Sequence, residues 1–154
     1  MTRIESTNKS LLIFVLLFLY SCNNNFLKCE KGNLIEVEYK QNHILIYEFD
    51  KSNKKVLKDL VKVEDEFFDN ELPRKFNKNI KTKPFLSKKK TKYLIVDKFS
   101  LLNDSIIIKD KVNGFFCTEQ KSNIRPVCYK FFYSENYEIK KIEIRIGKDF
   151  DIYK

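Results

Sequence analysis

Lys54–Leu72, KKVLKDLVKVEDEFFDNEL, decides how the chain is read. At about 100° per residue, Val56, Leu57, Leu60, Val61, Val63, Phe67, Phe68 and Leu72 fall within about half of a helical circumference. Ser52 or Asn53 supplies an N-cap, and Pro73 ends the segment by disfavouring helical geometry at Leu72. The charges run against the helix dipole, with Lys54, Lys55 and Lys58 first and Asp69 and Glu71 last. That penalty is only tenths of a kcal/mol per exposed charge, less than burial of a whole apolar face contributes. The pattern therefore predicts an amphipathic helix.

On either side the period is two. Ile35, Val37 and Tyr39 alternate with Glu36, Glu38 and Lys40, and Leu45, Tyr47 and Phe49 alternate with Ile46, Glu48 and Asp50. With Gln41-Asn42 as the turn, these two strands predict a hairpin. Beyond the helix, Tyr93–Val96, Ser105–Lys109, Phe115–Thr118, Val127–Tyr133 and Ile139–Ile146 read as strands. Asn113-Gly114 and Ser134-Glu135-Asn136 supply turns. A bulge at Lys140-Lys141 is needed to bring Tyr137, Ile139, Ile142, Ile144 and Ile146 to one face. The expectation is an α+β domain of order β-β-α-β-β-β-β-β, one helix on an antiparallel sheet of about six to seven strands.

The 154 residues include no Ala and only 3 Gly and 3 Pro, while Lys, Asn, Ile and Phe abound, a skew matching AT-rich codons. The formal net charge is +9; residues 1–21 hold Arg3, Lys9 and Glu5, which leaves +8 on the remainder. A lysine excess in so biased a composition is no argument for nucleic acid, and no nucleic-acid partner is expected. Leu11–Tyr20 is an unbroken apolar run behind Arg3 and Lys9. As a helix it rises only about 15 Å, half of a hydrocarbon core, which suits a signal peptide rather than a membrane span.

Leu19-Tyr20-Ser21-Cys22 resembles the lipobox of bacterial lipoprotein precursors: apolar first, small third, Cys fourth, with a bulky Tyr20 as the departure. The resemblance covers the leader and cleavage site alone. It implies removal of residues 1–21, lipidation of Cys22, and anchoring by acyl chains, two or more of which hold a protein stably on a bilayer. The family's sorting rule reads the second mature residue, and Asn23 in place of Asp implies the outer membrane of a diderm bacterium. Residues 22–33, opening with Asn23-Asn24-Asn25, read as a lipidated tether of at most about 35 Å, and residues 34–154 as one domain.

Little in the domain carries chemistry. His43 is the only histidine and has no nucleophile context; a catalytic role is not expected. Three scattered glycines form no phosphate-cradling loop, and no metal or cofactor is expected. With Cys22 taken by lipid, Cys29, Cys117 and Cys128 remain; a Cys₃His zinc site with His43 fits no familiar spacing. Centring a hairpin on Lys121–Ile124 sets Cys117 opposite Cys128 and Phe116 opposite Tyr129. That register predicts a Cys117–Cys128 disulfide with Cys29 left over. Glu64 and Glu71 project into the apolar sector of the wheel, so either the helix frays there or they form a partly buried acid site. From Leu72 to Val96 there is no acid, and Lys88, Lys89, Lys90 and Lys92 are candidates for contact with an anionic surface. The bland alternative is a solvated lysine-rich loop.

The resulting expectation is a membrane-anchored, non-enzymatic envelope module that binds an envelope protein or an anionic envelope polymer. The alternatives are an immunity-type inhibitor of an exported toxin and a carboxylate-based hydrolase of cell-wall glycan.

Overall fold

The computed structural model describes residues 23–30, 32–50, 53–70, 83–97 and 102–154. Along them run β1 (Asn23–Lys28), β2 (Leu34–Lys40), β3 (His43–Asp50), β4 (Asn53–Val63), β5 (Glu66–Asp69) and β6 (Thr91–Asp97). β7 (Leu102–Val112), β8 (Phe115–Ser122), β9 (Val127–Tyr133), β10 (Ile139–Ile146) and β11 (Asp149–Tyr153) follow. Within each of two sheets every strand pairs antiparallel with its sequence neighbours, giving a five-stranded sheet of β1 to β5 and a six-stranded sheet of β6 to β11. Among the described residues there is no helix. The α+β expectation is overturned, and the fold is all-β.

The failure lies in Lys54–Leu72. Its described part is a hairpin: Val63 pairs with Glu66 across a two-residue turn, in which Glu64 adopts a φ of 55°. Between Ile46 and Tyr47 of β3, the partner on β4 jumps from Lys58 to Val56, leaving Leu57 as an extra residue. A bulge resets the side-chain alternation, so Leu57 and Leu60 both meet the core at a spacing of three, as on a helix. Val56 and Val63, assigned to the same stripe, stand exposed on the opposite face. The apolar stripe is divided between two faces of a sheet.

In β2 the predicted alternation holds, but in β3 the faces are exchanged. Ile44 and Ile46 face the core, while Leu45, Tyr47 and Phe49 share the outer face with Glu36 and Glu38. Ile35 and Val37 of β2 and Ile44 and Ile46 of β3 are buried, in the hairpin register Val37↔Ile46 around the Gln41-Asn42 turn. The register between β9 and β10 shifts between Ile139 and Lys141, which is the anticipated bulge. It brings Tyr137, Ile139, Ile142 and Ile144 into the core, whereas Ile146 remains exposed. β1 and β11 are additions to the expected set. The stretch read as a tether enters the fold at Asn23, in register with Tyr39 of β2.

Both sheets close on one core, to which Leu60, Ile106, Ile108, Phe131, Tyr133 and Tyr153 contribute fully buried side chains. Fully burying a side chain of this size stabilises by roughly 1.5–3 kcal/mol. Two seams join the sheets. At one, the Lys28 and Lys154 backbones exchange hydrogen bonds of 3.0 and 3.3 Å. At the other, the Phe67 N–H donates to the Leu86 carbonyl at 3.1 Å and the Leu86 N–H to the Phe67 carbonyl at 3.0 Å. Tyr133 secures this second seam, donating to the Ser87 carbonyl at 2.7 Å and accepting from the Ser87 N–H at 3.1 Å. Phe85-Leu86-Ser87, the middle of the lysine-rich connector, is thus a buried plug rather than a solvated loop.

Candidate functional site

Cys22, Glu71 and the connector residues Arg74, Lys75, Lys78 and Lys81 lie outside the described residues. The other predicted positions are dispersed. Cys29 is buried at the first seam, bridged to Tyr153. His43 lies on the outer face of the five-stranded sheet, its Nδ1 3.3 Å from Asp59 Oδ1. Glu64 is exposed on its turn, in neither a frayed helix nor a buried acid site.

Cys117 and Cys128 share the outer face of the six-stranded sheet, but not the predicted register. Cys117 stands opposite Phe132, and Cys128 opposite Lys121. The pairing is displaced by four residues, about 14 Å along a strand, far beyond the Cα separation a disulfide spans. Both thiols are free. The displacement arises in the loop, which is Asn123–Pro126: the Ser122 hydroxyl accepts from the Ile124 and Arg125 N–H groups and carries the turn further along the chain. Phe116 accordingly pairs with Tyr133 and stacks on it at 5.9 Å.

Lys88, Lys89 and Lys90 are exposed, as is Lys92 on the outward side of β6. The fold brings the Glu135 carboxylate near Lys88. Lys88 Nζ lies 5.4 Å from the centre of the Tyr137 ring, whose hydroxyl donates to the Asp65 carbonyl. Glu135, on the adjacent loop, is held below the usual carboxylate range by its hydrogen bond to Lys111 and by the charges of Lys111 and Lys88. The same end of the molecule carries the start of β1, where Asn25 Nδ2 donates to Glu138 at 3.3 Å and Tyr39 accepts from the Ile139 N–H at 2.7 Å. The lysine triplet and the chain's entry from Cys22 therefore share one end of the fold.

The other half of the six-stranded sheet presents a feature that sequence reading missed, because register alone assembles it. Across its outer face, Glu119 pairs with Lys130 and Lys130 with Glu143. Burial alone would raise the Glu119 carboxyl, but the Lys109 hydrogen bond at 2.7 Å and nearby lysines hold it below the usual range. One rung nearer the Asn123–Pro126 loop, the row reads Lys121–Cys128–Arg145–Phe150, with no acid in it. The loop and the Gly147-Lys148 turn are tied by the Gly147 N–H donating to the Pro126 carbonyl at 2.7 Å. Together they wall an open groove of about 240 Å³ over that row. Cys128 lies at its floor, Sγ 3.9 Å from Glu119 Oε1, its thiol pKa pushed up by burial and by that carboxylate.

No family model matches the chain, and neither a characterised protein nor a solved structure matches it at a significant level.

Proposed function

We propose that this chain is a lipid-anchored envelope lipoprotein whose β domain is a non-enzymatic binding module, held with one end toward the bilayer and the groove facing away from it. The observation that carries this reading is the separation of the two ends. β10 spans eight residues, roughly 27 Å, from the loop beside Asn25 to the turn that walls the groove. A lipid on Cys22, one residue before β1, leaves almost no slack, so the Asn25 end stays against the headgroups. The exposed Lys88, Lys89 and Lys90 then meet the surface, each worth about 1 kcal/mol if its headgroups are anionic. Glu64, exposed on its turn, lends the hydrolase alternative no support.

Metabolic labelling with palmitate should mark the wild type, and Cys22→Ser should abolish both the label and membrane fractionation; label retained in the variant sinks the anchor. Orientation is read by amine footprinting of the full chain. Lys88, Lys89 and Lys90 should react more slowly in anionic vesicles than in detergent, while Lys121 and Lys148 react equally in both. Slowing at Lys121 and Lys148 instead reverses the orientation.

A further inference from the structure

We infer that the groove on the outer face of the six-stranded sheet takes an acidic polypeptide segment. The inference rests on the binding-module reading and names the chemistry of its partner.

The charge inside the groove is uneven. Its two carboxylates are already engaged: Glu119 by Lys109 at 2.7 Å, Glu143 by Lys141 at 2.8 Å and by Lys130 at 3.7 Å. Among the described residues, Lys121, Arg125 and Arg145 form no ion pair, and all three are exposed along the same opening. Two guanidiniums without an ion pair, beside one ammonium, present fork-shaped donors that match carboxylates, while the neighbouring lysines prevent the groove's own acids from competing.

The apolar groups select the class of anion. Arg145 lies over the Phe150 ring at 5.5 Å, and Phe150 is 42 % exposed. Pro126 and Val127 line the same opening. A phosphate polymer gains nothing from these side chains, which it would leave wet. A peptide carrying both carboxylates and apolar side chains uses both halves of the surface, with carboxylates on Arg125 and Arg145 and an aromatic or aliphatic group against Phe150. The groove, about 240 Å³ and open to solvent, suits side chains from an extended segment better than an enclosed small molecule.

The test measures fluorescence anisotropy with the full chain in non-ionic detergent. The probe is a fluorescein-labelled peptide of Glu, Phe and Gly; its Glu-to-Gln analogue, polyglutamate and inorganic polyphosphate are the comparisons. The Glu/Phe peptide should bind with an affinity that falls as salt rises, and the Gln analogue about tenfold or more weaker. Polyglutamate and polyphosphate should each bind several-fold more weakly than the peptide. Arg125→Gln and Arg145→Gln, both at exposed positions, should each weaken the peptide about tenfold, and Phe150→Ala about threefold. Lys62→Gln, on the other sheet, should leave it unchanged. Equal binding of the Gln analogue, or insensitivity to both Arg substitutions, overturns the proposal. Polyphosphate binding as tightly as the peptide overturns the assignment to polypeptide. Because peptide binding is read without a bilayer, it stands or falls separately from the palmitate result.

Discussion

Lys58 points inward from β4 and its ammonium meets Asp69 at 2.5 Å between the sheets, 4.9 Å from the centre of the Phe85 ring. The Asp69 side chain is only 1 % exposed and that of Lys58 12 %, so this pair is far from a surface salt bridge. Two ions taken from water gain little in net stability, but removing one partner leaves the other charge desolvated. Lys58→Met should therefore destabilise the domain by about 3–5 kcal/mol, and Lys58→Met with Asp69→Leu should cost less than Lys58→Met alone. Urea denaturation of the variants measures this; a Lys58→Met cost below about 1 kcal/mol would place the lysine in solvent. The sequence offered no sign of the pair. Lys58 is one of 30 basic residues, and its inward direction follows from the bulge at Leu57, which no residue type announces.

At the scale of elements, the β4–β5 turn yields the sharpest contrast between helix and hairpin. Glu64 holds a φ of 55°, a left-handed conformation that costs a residue with a Cβ roughly 1–2 kcal/mol. Glycine relieves that strain but gives back part of the gain as chain entropy in the unfolded state, so Glu64→Gly should stabilise by roughly 0.5 kcal/mol. In a helix interior the same substitution costs about 1 kcal/mol. Thermal or urea denaturation reads the sign, and destabilisation would count against the hairpin. β2 and the β10 bulge were legible because one face of each strand is apolar and the other charged, so register follows from the pattern. β3 was paired correctly but its face was not, because its outward set of Leu45, Tyr47 and Phe49 is as apolar as its buried Ile44 and Ile46. β4 carries its valines outward and a lysine inward, which reverses that signal. Its other cue was propensity: of the eight apolar residues on the wheel, Val56, Val61, Val63, Phe67 and Phe68 are of types that favour strands. β1 was hidden by its asparagines, which are depleted in strands, and is held by pairing with β2 rather than by its own composition. The groove was invisible for another reason. Its members come from four strands and a loop, and a hairpin register wrong by four residues separates Lys121 from Cys128 and Arg145.

For the molecule as a whole, each of the two seams holds a buried tyrosine and the bridge between sheets a partly buried one. Tyr153 sits at the β1–β11 seam, Tyr133 binds the Phe85–Ser87 plug, and Tyr39 reaches across to the Ile139 N–H. Burial pushes each of these phenols up to about 12, and burial likewise pushes the Cys117 thiol up to about 11. All four groups bind their protons more tightly in the folded chain than in the unfolded one. Their contribution to stability is fully present below the unfolded values, about 9 for the thiol and 10 for the phenols, and is lost as pH rises through the folded ones. Stability should thus be nearly level from neutral pH to about 9 and then fall increasingly steeply, these four groups alone releasing up to four more protons in the unfolded chain than in the folded one. Above about pH 10 the lysines also begin to discharge, relieving the self-repulsion of a chain at +9, so the fall has to proceed against an opposing trend. Urea midpoints across this range, with tyrosinate absorbance followed in parallel, should show the buried phenols ionising together with loss of the β-sheet signal. Tyr133→Phe removes a proton-binding group and two hydrogen bonds, so it should lower stability at neutral pH and make the alkaline fall shallower. Phenols that titrate near 10 while the sheet signal persists would mean that the seams open to water without unfolding, and that the two sheets are not one cooperative unit.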